Sequence, residues 1–244
     1  MNAPTLTVVT VVYNDEAHIA RTIESVLAQD YPAIEYVVID GASSDGTLAA
    51  IEPWRARIGQ LLSEPDRGIY DAMNKGIRLA TGEFVLFMNS GDVFAGSTAV
   101  SAAMADVASG REQVIFGRWV RRARGQPDLP CVPDLSVGRF NHQAVLYSRA
   151  IHRWHGEYLS IRGLSTADYF FFATLLASPI VDCRTSDATL AIIDINGLSS
   201  GLHTFSQKYA ADYLCGRTSR LKLIAILVLH PLYSSLKRLL RGAR

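Results

Sequence analysis

The sequence predicts an α/β protein with a mainly parallel sheet flanked by helices, followed by a basic, amphipathic helical tail. Three observations support this fold class. β-rich runs alternate with helical stripes through the first hundred residues, an order typical of βαβ units. Polar side chains follow several of the strands, at the edge where open α/β sheets bind ligands. The 244 residues, 49% of them hydrophobic, are enough for one large domain with an appendage.

The elements of the first half follow from apolar periodicity and from the residues that end each run. Alternating β-branched residues predict a strand over Thr7–Val12. Apolar residues every three or four positions predict a helix over Ala17–Gln29, and Pro32 lies beyond its end. Small residues over 41–47 predict a loop that lets backbone approach a ligand. The other elements predicted here are the strands Glu35–Ile39, Leu61–Ser63 and Glu83–Met88 and the helices Leu48–Ile58 and Tyr70–Ala80.

Beyond Gly96 the pattern becomes less regular. A basic, proline-containing stretch over Arg121–Pro133 predicts a long loop, and long loops beside a ligand edge are often functional. The aromatic-rich run Ala167–Leu176 predicts a buried helix. The remaining predicted elements are the helix Thr98–Ala108 and the strands Val114–Gly117, Phe140–Tyr147 and Thr189–Ile195.

Charge divides the chain unevenly. There are 6 basic and 14 acidic residues through residue 110, and 18 basic and 9 acidic residues after it. After Asp212 the chain has seven basic residues and no acidic one, and these cations flank the apolar run Leu223–Leu229. That run is shorter than the roughly 20 residues that cross a bilayer. We therefore predict a globular domain over residues 1–205 and, over residues 206–244, a tail that lies on an anionic membrane surface. The alternative is a helix packed on the protein's own core.

Other partners and compartments are less consistent with the sequence. The tail lacks the interleaved aromatic residues that stack on bases, so a nucleic-acid partner is not predicted. The cysteines at 131, 183 and 215 form no close pair, and the amino terminus has no apolar signal segment. A cytoplasmic protein, peripheral on the inner face of the membrane, is expected.

The predicted ligand edge carries a set of side chains suited to a nucleoside diphosphate. Tyr13 offers a stacking surface, Asp40 a hydrogen-bond acceptor, Asp92 a hard oxygen ligand and Lys75 a cation. Mg²⁺ and Mn²⁺ prefer one or two carboxylates together with phosphate oxygens. The glycine fingerprint of dinucleotide dehydrogenases and the Walker lysine motif are both missing.

Four blocks of sequence are more specific than these single residues. They are Thr7–Asn14 with the helical run over 17–29, then Glu35–Thr47, Glu64–Gly76 and Gly82–Asp92. Together they resemble family 2 glycosyltransferases of the GT-A fold, in the branch that builds bacterial surface polysaccharides. The resemblance extends from residue 5 to about residue 200.

The resemblance implies roles for individual residues. Asp92 matches the last carboxylate of the family's metal motif, which implies Mg²⁺ or Mn²⁺ as cofactor. Relatives often have Asp-x-Asp-Asp where this chain has Asn89-Ser90-Gly91-Asp92, so only one carboxylate remains. Met73 stands where many relatives carry an arginine, and Arg67 or Lys75 would supply that charge. The residues implied to bind the nucleotide sugar are Tyr13, Asn14, Asp40, Asp66, Arg67, Asn74 and Lys75.

Later residues complete the predicted site. Asp168 matches the family's catalytic aspartate, the base that takes a proton from the acceptor hydroxyl, although a helix cap is the structural alternative. His142 and Gln143 match a recurring block and are assigned to the acceptor or donor pocket, with His142 a weaker candidate base. His152 and His155 are three residues apart in an aromatic surrounding, and zinc is not predicted there.

The predicted function is that of an inverting glycosyltransferase. It would move a hexose-type sugar from a nucleotide-diphosphate donor to an acceptor hydroxyl, on a glycan or lipid-linked oligosaccharide of cell-surface polysaccharide synthesis. Two alternatives stay open at this point: a sugar-nucleotide nucleotidyltransferase and a catalytically silent module that binds nucleotide sugars.

Overall fold

A computed structural model describes residues 3–108, 112–194 and 202–224 of the chain. Contacts between Cα atoms divide these residues into two compact units. The first contains the described residues up to 162 together with 179–194, and the second contains 163–178 and 202–224. The predicted boundary after residue 205 falls inside a helix, Leu202–Leu214.

A nine-stranded sheet dominates the first unit. Its strands, in chain order, are β1 (Leu6–Val12), β2 (Ile34–Asp40), β3 (Gln60–Ser63), β4 (Phe84–Phe87), β5 (Val93–Phe94), β6 (Gln113–Arg122), β7 (Leu129–Cys131), β8 (Val145–Ser148) and β9 (Asp182–Asp194). Their spatial order is β3-β2-β1-β4-β8-β6-β9-β5, with β7 paired to β6. The first four strands of that order run parallel, as do β6 and β9. The predicted α/β class with a mainly parallel sheet is thereby confirmed.

Within the described residues, five complete α-helices belong to this unit and two to the second. They are α1 (Ile19–Leu27), α2 (Thr47–Ile51), α3 (Ile69–Leu79), α4 (Ala99–Met104) and α5 (His152–His155), then α6 (Ala167–Leu176) and α7 (Leu202–Leu214). Short 3-10 segments occupy Glu52–Arg57, Leu135–Val137, His142–Ala144 and Arg149–Ile151. None of the helices in the described ranges is long and apolar enough to cross a membrane.

Both faces of β1 are covered, and all seven of its residues are buried. Leu6 and Val8 belong to the same apolar cluster as Ile19 and Ile23 of α1. On α3, a Cβ at Gly76 would stand 2.4 Å from Cγ1 of Val9. Only glycine permits so close an approach of α3 to the sheet. The carboxyl ends of β1, β2 and β4 therefore meet at one edge, where the loops that follow them gather.

Several predicted boundaries were wrong. The predicted helix Leu48–Ile58 stops being α-helical after Ile51, because Pro53 has no N–H for the ladder. The predicted strand Phe140–Tyr147 begins only at Val145, since the Asn141 side chain accepts the Gln143 N–H and closes a turn first. The predicted helix Thr98–Ala108 is the shorter α4.

Two errors have a common origin in strand pairing. Part of the predicted loop Arg121–Pro133 is strand, because β7 pairs with the end of β6. The strand predicted over Thr189–Ile195 starts at Asp182, where β9 pairs with β6 over its whole length, and Ile195 lies outside the described residues. Pairing with a distant neighbour leaves little signal in the local sequence.

Candidate active site

Hydrogen bonds join the loops that follow β1 and β2. The Asn14 N–H donates to Ser43 Oγ at 2.8 Å, and Asn14 Oδ1 accepts the Ser44 N–H at 2.8 Å. The Gly46 N–H donates to Glu16 Oε2 at 2.7 Å. Asn14 and Ala42 have φ of +48° and +60°, a region that non-glycine residues seldom occupy and that occurs often at functional sites. These hydrogen bonds therefore hold the two loops in a fixed arrangement relative to each other.

Asp40, at the end of β2, is fully buried. Its carboxylate accepts the Ser43 N–H at 3.1 Å, the Ser43 hydroxyl at 2.5 Å and the Ser63 hydroxyl at 2.6 Å. Three donors from two loops satisfy a charge that would otherwise be costly to bury. Asp40 thus holds in place the floor of the crevice between the loops that follow β1 and β2.

Tyr13 and Asp66 lie on either side of Gly41. The Tyr13 side chain is 64% exposed, so its ring is open to a stacking partner. A Cβ at Gly41 would stand 2.5 Å from Asp66 Oδ2 and 3.2 Å from Tyr13 Cδ2. Any side chain there would displace both residues, so Gly41 keeps the crevice between them open.

Two cations are associated with the segment before α3: Arg67 is part of that segment, and Lys75, on α3 itself, contacts it. The buried Lys75 ammonium donates to the Pro65 carbonyl at 2.7 Å and pairs with Glu64 at 3.0 Å. It thereby holds the segment that carries Asp66. The Arg67 side chain is 80% exposed and pairs with Asp71 at 3.0 Å. The hydrogen bond from Arg67 lowers the pKa of Asp71.

Asn74 has a more structural environment than the resemblance implies. Its Nδ2 donates to the Tyr158 carbonyl at 2.8 Å, and its Oδ1 accepts the Tyr158 N–H at 2.9 Å. Both ends of this buried carboxamide are engaged with a backbone 84 residues away. The Tyr158 hydroxyl continues the network to Tyr147 at 2.9 Å, and Tyr147 to His152 at 3.0 Å.

Asp92 lies at the carboxyl end of β4, after a turn in which its N–H donates to the Asn89 carbonyl. Its carboxylate accepts the Gln143 side-chain amide at 2.7 Å and the Asp194 N–H at 3.1 Å. Burial raises the pKa of Asp92 to about 6, although these bonds and nearby His142 favour the ionised form. A cation bound near Asp92 would stabilise its charge further.

Two carboxamide oxygens beside Asp92 lack hydrogen-bond partners. They are Asn89 Oδ1 and Gln143 Oε1, on side chains that are more than nine-tenths buried. The nitrogen ends are occupied, since Gln143 Nε2 contacts Asp92 and Asn89 Nδ2 lies 3.0 Å from His142 Nε2. A buried acceptor without a donor costs about 1–3 kcal/mol. No group of three or more His, Cys, Asp or Glu within the described ranges could hold a metal unaided. One carboxylate and two amide oxygens are nevertheless the types of ligand that suit a hard divalent cation whose shell also includes phosphate oxygens.

Sequence reasoning missed the residues that support this turn. Asp15 accepts the Ser90 hydroxyl at 2.6 Å and contacts His18 Nδ1 at 2.5 Å. Arg21 donates to the Gly91 carbonyl and lies 3.3 Å from Asp194. These contacts join segments up to 173 residues apart. The only local signal was the polar cluster that follows β1.

Asp168 lies in the second unit, in the first turn of α6. The N-cap position is taken by Thr166, so Asp168 is not the cap residue. A carboxylate in the first turn is favoured by the helix dipole. The segment before it is held by Gln207 of α7, whose contacts are described below.

Comparison with known proteins identifies the family. The profile of the family "Glycosyl transferase family 2" matches residues 7–156. An uncharacterized glycosyltransferase of Mycobacterium tuberculosis is 32% identical over 210 residues, which cover 82% of this chain and 78% of that protein. The chain belongs to glycosyl transferase family 2. The predicted family is thus confirmed.

Two further comparisons agree. A PGL/p-HBAD biosynthesis glycosyltransferase of Mycobacterium bovis is 27% identical, covering 82% of this chain and 81% of that protein. The fold matches a mannosyltransferase from Pyrobaculum calidifontis, solved with GDP-Man and Mn²⁺, with a TM-score of 0.68 and 20% identity over 93% of this chain and 70% of that one. A crystal structure of S. aureus TarS 1-349 in complex with UDP has the same fold but a longer chain, and this protein covers 65% of it.

Proposed function

We propose that this family 2 protein is an inverting glycosyltransferase that moves a hexose-type sugar from a nucleotide-diphosphate donor to an acceptor hydroxyl. The observation that carries the proposal is the Asp92 cluster, a buried carboxylate beside two unpartnered amide oxygens at the carboxyl end of β4. The family match and the relative solved with GDP-Man support a nucleotide-sugar donor.

The crevice residues would act on the nucleotide. Tyr13 stacks on the base, while Asn14 and Asp40 keep the two loops in the geometry that accepts it. Asp66 and Arg67 lie beside the sugar nucleotide, and Lys75 holds their segment. Asn74 contributes by fixing α3 to the backbone of Tyr158.

The diphosphate leaving group requires charge neutralisation. Asp92 would hold Mg²⁺ or Mn²⁺, and the ion supplies Lewis-acid stabilisation of the departing diphosphate. His142 and Gln143 border the same pocket, where Gln143 orients the Asp92 carboxylate. Asp92 would thereby make donor binding and metal binding depend on each other, each raising the affinity of the other by the same factor.

Transfer itself needs a base. In the proposed step a bond forms between the acceptor oxygen and the anomeric carbon, while the bond to the diphosphate oxygen breaks and its electron pair leaves with the diphosphate. The acceptor proton passes to the Asp168 carboxylate. Attack from the face opposite the leaving group inverts the anomeric centre.

The experiment that tests the proposal measures sugar transfer and donor hydrolysis across a set of nucleotide sugars, with and without Mn²⁺. We expect one donor to be consumed, and Asp168→Asn to lower turnover about 10²–10⁴-fold with donor binding retained. A retained anomeric configuration would contradict inversion. Absence of donor consumption together with tight binding would favour a silent module, and formation of a nucleotide sugar from a nucleoside triphosphate would favour a nucleotidyltransferase.

We further propose that the acceptor is lipid-linked and that the tail holds the enzyme at the cytoplasmic face of the membrane. Residues 225–244 lie outside the described part of the chain, so support comes from their sequence: seven cations and no anion after Asp212. Each cation near anionic lipid contributes about 1 kcal/mol, although Arg217 pairs with Asp212 at 3.2 Å. Truncation before Arg217 should abolish sedimentation with anionic liposomes while donor binding persists. Unfolding of the truncated protein would contradict this.

A further inference from the structure

One side chain of α7, Gln207, contacts most of the segment that precedes Asp168. Its Oε1 accepts the Ser165 N–H at 3.0 Å, the Ser165 hydroxyl at 3.1 Å and the Thr166 hydroxyl at 3.2 Å. Its Nε2 donates to the Gly163 carbonyl at 2.8 Å. A single carboxamide therefore spans residues 163–166 and uses both of its ends.

These bonds determine how α6 begins. Thr166 is the N-cap residue, yet its side chain makes no capping bond to the helix, since the hydroxyl donates to Gln207 instead. N-cap side chains normally satisfy the first free N–H groups of a helix and fix its start. Here the start is fixed from another helix, and Asp168 lies two residues further on.

A second contact between the same helices lies on the other side of Asp168. The Tyr169 hydroxyl donates to Asp212 Oδ1 at 2.7 Å, and Arg217 Nε donates to the same oxygen at 3.2 Å. Lys208 Nζ stands 4.7 Å from the centre of the Tyr169 ring. Asp168 therefore lies between two residues, Thr166 and Tyr169, whose side chains are both hydrogen-bonded to α7.

We propose that Gln207 is a positioning residue for Asp168, orienting the first turn of α6 so that the carboxylate faces the acceptor hydroxyl. The inference rests on the proposed role of Asp168 as base. It also gives the first part of the predicted tail a role in turnover that is separate from membrane binding. Catalytic groups displaced by about 1 Å lose roughly 10²-fold in rate, which sets the scale of the effect.

The test is a double-mutant cycle on kcat with the full-length enzyme. Gln207→Ala should lower kcat about 10- to 100-fold and leave the donor Kd unchanged. Gln207→Glu keeps an oxygen for Ser165 and Thr166 but turns a second, charged oxygen toward the Gly163 carbonyl, so it should retain only part of the activity. In an Asp168→Asn background, Gln207→Ala should change kcat by less than about twofold, because coupled residues are not additive. Leu214→Ala, an exposed change on the same helix, is the matched control.

Each outcome bears on the inference. An equal loss from Gln207→Ala with and without Asp168, or a loss in donor affinity alone, would overturn the positioning role while leaving Asp168 as base. Full activity of Asp168→Asn would overturn the proposed base instead. If Gln207→Ala does not fold, Thr166→Val removes one of the three donors, and the same cycle with that variant decides the question.

Discussion

The crevice between the loops after β1 and β2 differs from the pocket around Asp92 in how completely its polar groups are satisfied. In the crevice, buried Asp40 accepts three hydrogen bonds from two serines. Around Asp92, two buried oxygens have no partner and burial raises the pKa of the carboxyl to about 6. A network whose polar groups all have partners stabilises the fold. A network with unpartnered groups destabilises the fold until a ligand supplies the missing partners. The difference distinguishes a crevice whose polar groups are already satisfied from a pocket whose polar groups still need a ligand, at one edge of the sheet.

The largest effect should come from Asp92→Ala. Loss of the carboxylate should lower transfer about 10²-fold or more, because metal stabilisation of the leaving group is worth several kcal/mol. Tight, Mn²⁺-dependent binding of a nucleoside diphosphate should disappear with it in calorimetric titrations. Asp106→Ala removes an exposed carboxylate and serves as the control. Donor affinity that is independent of metal in the unaltered enzyme would contradict the assignment.

The comparison predicts that the same substitution changes stability by different amounts at two positions. Asp40→Asn should lower the free energy of unfolding by about 2–3 kcal/mol, because the carboxamide offers one neutral acceptor oxygen where the carboxylate offers two charged ones to three donors. Asp92→Asn should change it by less than about 1 kcal/mol, since Gln143 can rotate its unpartnered oxygen toward the new amide. Denaturant titration measures both values. Equal losses at the two positions would remove the distinction.

His152 is a titratable side chain whose polar atoms, like those of Asp40, all have hydrogen-bond partners. Nδ1 donates to the Gly156 carbonyl at 2.7 Å and Nε2 contacts the Tyr147 hydroxyl, while burial lowers the pKa of His152 from 6.5 to about 4. Between these pH values the unfolded state binds more protons, so stability falls as pH decreases below 6.5, by up to about 3 kcal/mol near pH 4. His152→Gln should flatten this slope, whereas His18→Gln, at an exposed site, should retain it. An unchanged slope in His152→Gln would contradict the prediction.

The smallest effect should come from Asn89→Asp, which adds a charged oxygen at the unsatisfied site. Mn²⁺ affinity, measured by electron paramagnetic resonance with a nucleoside diphosphate present, should rise about 3- to 10-fold. Gln126→Glu adds the same charge on an exposed loop and should leave the affinity unchanged. If Asn89→Asp also leaves it unchanged, water rather than the cation satisfies Asn89 Oδ1.

Local sequence was a good guide where a run of suitable residues has clear ends. The strand predicted at Thr7–Val12 and the helix at Tyr70–Ala80 match β1 and α3 within one residue at each end, because the first is rich in β-branched residues and the second ends before Thr81-Gly82. Prediction was poor for β7 and the first half of β9, whose residues alternate little and are held by pairing with β6. The candidate residues were found by motif, yet Asn74 and Lys75 proved to have backbone partners that no motif specifies.

The sequence by itself determined the α/β class and the family, and it named the carboxylates Asp40, Asp92 and Asp168 as candidates, because strand periodicity and short motifs are local properties of the chain. Tertiary structure alone decided which polar groups are satisfied. Gln143 meets Asp92 across 51 residues, Asn74 meets Tyr158 across 84, and Gln207 meets Ser165 across 42. Such bonds depend on how distant strands and helices pack. Because the groups are buried, water cannot replace a lost partner, and the loss or gain of each hydrogen bond changes the free energy of folding.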